Sequence, residues 1–151
     1  MVERFLTSAE DLVRLKAGSA AYRRRAVSSA YYAVFHSLAK LCTATLLPKG
    51  GSESDLLRIY RALDHGPLRN AFSQSPLKDH QDIRLIGVAV LNLQTERHRA
   101  DYLPPDSKLF PKSEVEQLIG QARLTVTQIE TLDEASARML ATCLLFKERN
   151  K

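Results

Sequence analysis

Apolar residues recur at intervals of three and four along most of this chain, the spacing of helices rather than the alternation of strands. Thr7 or Ser8 is placed to cap a first helix, with Glu10 or Asp11 three residues on and Leu12, Val13 and Leu15 as its apolar side, until Gly18 interrupts it. The strongest segment runs from about residue 20 to 47. Its Ala26, Ala30, Ala33, Leu38, Leu41 and Leu46 share helical spacing, and so many alanines predict close approach of neighbouring helices. Pro48, Gly50 and Gly51 predict a loop. A third helix, capped by Ser52 or Ser54, carries Leu56, Leu57, Tyr60 and Leu63 until Gly66 and Pro67 stop or kink it, and a short helical piece follows from Leu68 to Phe72. From Lys78 or Asp79 to Tyr102, Ile83, Ile86, Val90 and Leu93 predict another helix, ended by Pro104 and Pro105. Beyond it Ser113 and Glu116 read as a capping box, opening a stripe of Val115, Leu118, Ile119, Ala122, Val126 and Ile129. Whether Leu132 and Asp133 end that helix, or it continues to Phe146, the pattern leaves open. The expectation is one all-α domain over residues 1–151, its short connections favouring antiparallel, up-and-down neighbours.

Composition narrows the class of protein without naming its work. At 44% apolar and 26% charged residues, no part of the chain reads as disordered tail or fibre. The formal charge of +5 tolerates an anionic partner but does not require one. Cys42 and Cys143 each lie in an apolar run, so they read as small buried hydrophobes, with no disulfide, no metal site and no cofactor expected. No stretch approaches the length of a membrane span, and residues 1–6 carry no leader signature, so a cytoplasmic protein without membrane contact is expected.

Four clusters carry candidate chemistry. Arg23, Arg24 and Arg25 stand at the start of the second helix, where they oppose the macrodipole and so need another reason: a solvated collar, a buried pairing, or a phosphate. Downstream, Tyr31, Tyr32 and His36 place aromatic groups on two faces of that helix; one face suits the core and the other a neighbouring helix or a second subunit, which predicts a homodimer. In the third helix Arg58, Arg61 and His65 would share a face if the helix stays regular, with Asp64 adjacent and Arg69 beyond Gly66 and Pro67. An arginine holds phosphate through paired hydrogen bonds and a histidine moves a proton near neutral pH, so Arg58, Arg61 and His65 are candidate catalytic residues for RNA cleavage. The competing reading is a satisfied polar seam, Arg61 to Asp64 to His65, closing one helix against another, and Asp64, Asp101, Tyr31, Tyr32 and His36 are the candidate structural polar residues. At the end of the fourth long segment, Gln94, Arg97 and Asp101 share a face, and an Arg97–Asp101 pair has the right spacing though the less favourable charge order. His98 points elsewhere and reads as solvent-side, and His80 sits near a helix start.

The run Arg24-Arg25-Ala26-Val27-Ser28-Ser29-Ala30-Tyr31-Tyr32-Ala33-Val34-Phe35-His36, with Arg97-His98-Arg99-Ala100-Asp101-Tyr102 much later, resembles the HEPN domain, in particular its small stand-alone bacterial members. The resemblance covers about residues 6–129 and implies a four- or five-helix antiparallel bundle, commonly a homodimer. It implies a setting in toxin–antitoxin, CRISPR-associated or other antiviral defence. Many members are metal-independent ribonucleases; others are non-catalytic scaffolds or antitoxin-like partners that bind protein, RNA or nucleotide. With RNA as a candidate partner, Arg24, Arg25, Arg69, Arg97 and Arg99 are the candidate phosphate contacts. Active members carry an arginine and a histidine at the end of the helix that here holds Arg97 to Tyr102. Aligned on Asp101-Tyr102, this chain has Thr95 and Ala100 at those two positions.

Overall fold

The computed structural model describes residues 1–147, which are all-helical, with no strand among them. Seven α-helices follow in order: α1 (Val2–Lys16), α2 (Ala20–Leu46), α3 (Glu53–Ala62), α4 (His65–Phe72), α5 (Gln81–Tyr102), α6 (Lys112–Glu130) and α7 (Glu134–Leu145), with a 3₁₀ turn at Leu77–Asp79. That is more than the four or five the resemblance implies: the short helix expected after Gly66 and Pro67 is present, and the point left open near Leu132 and Asp133 is a break. One break separates α3 from α4. A helix continuing through residues 63–67 would need a backbone N–H that Pro67 lacks, so Leu63 and Asp64 turn extended and the helix restarts at His65. Pro67 then falls in a first turn, where that N–H would have no intrahelical acceptor. The other break follows Glu130, and Asp133 caps α7 by accepting from the Ser136 N–H at 3.3 Å.

Three starts differ from expectation, and one of them is α5, which begins at Gln81 because Leu77–Asp79 form the 3₁₀ turn instead. α1 begins at Val2 rather than at Thr7 or Ser8; its early turns bury Leu6, and Arg123 of α6 bonds Glu3 at 3.1 Å and Glu10 at 2.8 Å along its exposed side. α6 begins at Lys112, so Ser113 lies inside the first turn and cannot cap it; Val115 N–H instead donates to the Pro111 carbonyl. For α3 the cap is Ser52, which forms a capping box with Asp55. The hydrogen bonds to Ser52 hold the Asp55 carboxyl below the usual aspartate range.

The chain divides into two compact units. The first comprises residues 1–36 and 89–127: α1, the first part of α2, the last part of α5 and most of α6. Its core draws Leu6, Ala9 and Val13 from α1 and Ala26, Val27, Ala30, Tyr31 and Val34 from α2. Val90 and Leu93 join from α5, and Val115, Ile119 and Ala122 from α6. The alanines that α2 contributes to this core are fully buried, as close helix packing requires. The second unit comprises residues 37–88 and 128–151. Here α4, α7 and the 3₁₀ turn pack on one another, around Leu38, Cys42, Leu63, Leu68, Leu77, Ile83, Ile86 and Leu140. Burial pushes the Cys42 thiol up to about 12, so it remains protonated and acts as a small hydrophobe. His80 links two helix starts in this unit: its Nδ1 accepts from the Ile83 N–H at 3.3 Å, which leaves Nε2 to donate to Ser136 Oγ at 2.9 Å. No helix of the described residues is long and apolar enough to cross a membrane.

Two glycines in helices make opposite demands. A Cβ on Gly87 would lie 2.8 to 3.1 Å from Cδ1, Cγ and Cβ of the Phe72 side chain, whereas one on Gly120 would meet nothing within 4 Å. Helix propensity favours alanine over glycine by about 1 kcal/mol, and overpacking a core costs about 1–3 kcal/mol. G87A should therefore lower stability by about 1 kcal/mol or more, and G120A should raise it by up to about 1 kcal/mol. Urea midpoints measured on the two variants check this, since the same substitution is expected to move them in opposite directions.

Candidate functional site

The first turns of α2 carry three adjacent arginines, and the structure assigns them different tasks. Arg23 is 7% exposed and donates from Nε to the Phe110 carbonyl at 2.9 Å, and from its terminal nitrogens to the carbonyls of Ala17 at 2.7 Å and Ser107 at 2.9 Å. Arg24 donates from Nε to the Ala100 carbonyl at 2.7 Å, and also bonds the carbonyls of Arg99, Leu103 and Pro104. These belong to the last turn of α5 and the chain just beyond it, where intrahelical donors run out; the Arg99 carbonyl also accepts from the Leu103 N–H at 3.1 Å. Arg24 is therefore engaged in closing α5, in place of the phosphate contact expected of it. Arg25 is exposed.

One turn further along α2, Ser28 faces Asp101 of α5. Ser28 Oγ donates to Asp101 Oδ1 at 2.6 Å, and Arg97 donates to Oδ2 at 3.3 Å. The Arg97–Asp101 pair thus forms at its i,i+4 spacing, with side chains 15% and 33% exposed. The Arg97 guanidinium carbon lies 5.2 Å from the Tyr31 ring centre and 5.9 Å from that of Tyr32, within cation–π range of both. The Tyr31 and Tyr32 rings meet edge to face at 5.5 Å, and Phe5 of α1 stacks on His36 at 5.1 Å. Tyr31 is fully buried; burial raises its hydroxyl well above the ordinary tyrosine range, while nearby Arg97 and a hydrogen bond with Gln94 act in the opposite direction. The phenol is neutral and unsuited to proton transfer at physiological pH. A polar seam joining α2 and α5 results, and Asp101, Tyr31 and Tyr32 all contribute to it.

The other candidates lie elsewhere. Arg99 bonds Glu96 at 2.6 Å and sits over the Phe110 ring at 5.3 Å. His98 is exposed and its ring lies 4.7 Å from that of Tyr102. Arg58 and Arg61 are exposed on α3, and Arg58 approaches Asp55 at 3.9 Å. His65 is half-buried at the start of α4, so the break at Leu63 and Asp64 removes the continuous helical face on which Arg58, Arg61 and His65 were expected to align. Asp64 is an exposed residue preceding α4 and forms no ion pair with Arg61 among the described residues. Arg69 is exposed on α4. A surface cavity beside that helix is lined by Pro67, Asn70 and Ala71 together with Thr142 and Phe146 of the α7 end. Among the described residues no three His, Cys, Asp or Glu side chains converge as a metal site.

Sequence reasoning raised Arg23 and Gln94 without identifying their partners, and gave Ser28 no role. The one signal available for Arg23 was its position, a cation in a first helical turn against the dipole, which called for a partner without saying which. Compared with family models, with curated proteins and with solved structures, the chain finds no match.

The adjacent arginines provide a direct check. R24A leaves carbonyls at the end of α5 without their charged donor and should cost about 2 kcal/mol or more, whereas R25A, at an exposed position, should stay within about 0.5 kcal/mol of wild type. Thermal or urea unfolding of both variants gives the comparison; equal effects would contradict the assigned roles.

Proposed function

We propose that this chain is a non-catalytic, HEPN-like helical module that works by assembling with protein rather than by cleaving RNA. The observation that carries the reading is the pairing of the charged groups of the α2–α5 seam with one another, which leaves Arg97 Nε buried without a hydrogen-bond partner. Ser28, Arg97 and Asp101 bond one another, Arg97 rests on Tyr31 and Tyr32, and Arg24 is occupied by backbone carbonyls. Cleavage of RNA without a metal needs a proton-transferring group and a charge-stabilising group converging on one phosphate. In the seam the arginine is already paired with a carboxylate, and the aligned positions of the family's arginine and histidine hold Thr95 and Ala100. Such a seam fixes the geometry of two helices, which is the requirement of a scaffold or an antitoxin-like partner. The setting implied by the resemblance, a toxin–antitoxin or other defence system, is part of the proposal.

The test is a cleavage assay of the purified full-length protein on labelled single-stranded RNA in the presence of a chelator. No cleavage above the buffer control is expected. Cleavage that is lost in a folded H65A variant would overturn the reading and return Arg58, Arg61 and His65 to a catalytic role.

A further inference from the structure

The second unit carries a groove that its own residues do not fill. Ser37, Lys40, Leu41, Ala44 and Thr45 of α2 form one wall, and Ile129, Glu130, Leu132, Ala137 and Arg138 form the other, around about 570 Å³. The α2 residues fall at helical spacings of three and four, so the wall is one continuous face of that helix. Ala44 is exposed in its middle, where a small side chain admits a second backbone, and Leu41, Leu132 and Ala137 are only half-buried beside it.

The charges on the two walls say what fits there. Glu134 and Arg138 bond each other along α7 at 3.0 Å. Lys40 and Glu130 are both exposed and make no ion pair among the described residues. Glu130 is moreover the last residue of α6, an acid at the end of a helix where the macrodipole favours a cation. An apolar strip thus separates an unpaired cation on one wall from an unpaired anion on the other. That arrangement is self-complementary. Across a two-fold axis, residue i of one copy meets residue j of the other and the reverse, so each Lys40 would reach the partner copy's acidic wall.

We infer that this groove receives a second copy of the chain, the 37–46 segment of α2 from each protomer lying in the groove of the other, with Lys40 of each facing Glu130 of the other. The α2 segments cross at Ala44, with Leu41 packed beside the crossing. The inference rests on reading the chain as an assembly module and specifies the surface that assembles.

Light scattering at micromolar concentration, with circular dichroism beside it, tests the inference on wild type, K40E, E130K and an equimolar mixture of the two variants. Wild type should show twice the 16.9 kDa chain mass. K40E alone and E130K alone each place like charges opposite one another at both contacts and should raise the dissociation constant at least about tenfold. In the mixed dimer one contact keeps the native Lys40–Glu130 pair and the other carries the same pair with its charges exchanged. Both contacts are then attractive again, and the dimer should return to within about threefold of wild type. Both positions are exposed, so folded variants with the wild-type dichroism spectrum are expected. A monomeric wild type, or single variants that dimerise as well as wild type, would overturn the inference. So would weakened variants that fail to pair on mixing, because an effect within one chain is not repaired by another chain. A protein with these charge-swap properties that nevertheless cleaved RNA would leave the interface standing and remove the non-catalytic reading.

Discussion

Backbone carbonyls at a helix end and in the loops beside it need donors, and in the first unit of this protein two adjacent arginines supply them, from the buried Phe110 carbonyl outward to those at the surface. Arg23 and Arg24 together bond the carbonyls of Ala17, Arg99, Ala100, Leu103, Pro104, Ser107 and Phe110. The end of α5, the connection to α6 and the turn from α1 into α2 are thereby fastened to one place on α2. Phe110 shows how tightly this holds. It is buried with a φ of 57°, a left-handed conformation that costs a non-glycine residue about 1–3 kcal/mol, and it is kept there by Arg23 on its carbonyl and by Arg99 over its ring. Arg24, unfavourably placed against the dipole of its own helix, sits against the carboxyl end of another, where positive charge is favourable.

The same fastening limits what the cluster can do chemically. The guanidinium N–H groups that satisfy carbonyls reach phosphate only by giving up those bonds. The neighbouring Ser28–Asp101–Arg97 arrangement is held in the same way, with the carboxylate accepting from both sides and the arginine lying against two tyrosines. Preorganisation of this kind serves catalysis only when a group is left facing substrate. Here it serves the docking of α2 on α5, and the unpaired charges of the second unit, Lys40 and Glu130, flank an apolar groove suited to assembly.

Local pattern and long-range contact were unequally legible in the sequence. The extents of α2 and α5 followed from their apolar spacing and from the breakers Pro48 and Pro104, and the Arg97–Asp101 pair followed from its i,i+4 register. The division of α3 from α4 was legible from Gly66 and Pro67, but its position was not: the break falls at Leu63 and Asp64, so that Pro67 lies in the first turn of α4 rather than after the end of α3. The early start of α1 was not legible, because the burial of Leu6 and the contact of Glu3 with Arg123, 120 positions away, are tertiary. The role of Arg23 depends likewise on Phe110, 87 positions away. A local signal recorded that these arginines violated a preference; only the tertiary structure identifies the groups that compensate.

The engagement of Arg23 and Arg24 with backbone carbonyls is the central claim, and exchange of the arginine side-chain Nε protons, followed by nuclear magnetic resonance, addresses it without altering the protein. The Nε protons of Arg23 and Arg24 should be strongly protected at neutral pH and should keep their chemical shifts when single-stranded RNA or inorganic phosphate is added, while that of exposed Arg25 exchanges freely. Rapid exchange at Arg23 and Arg24, or a shift of either on adding phosphate or RNA, would contradict it.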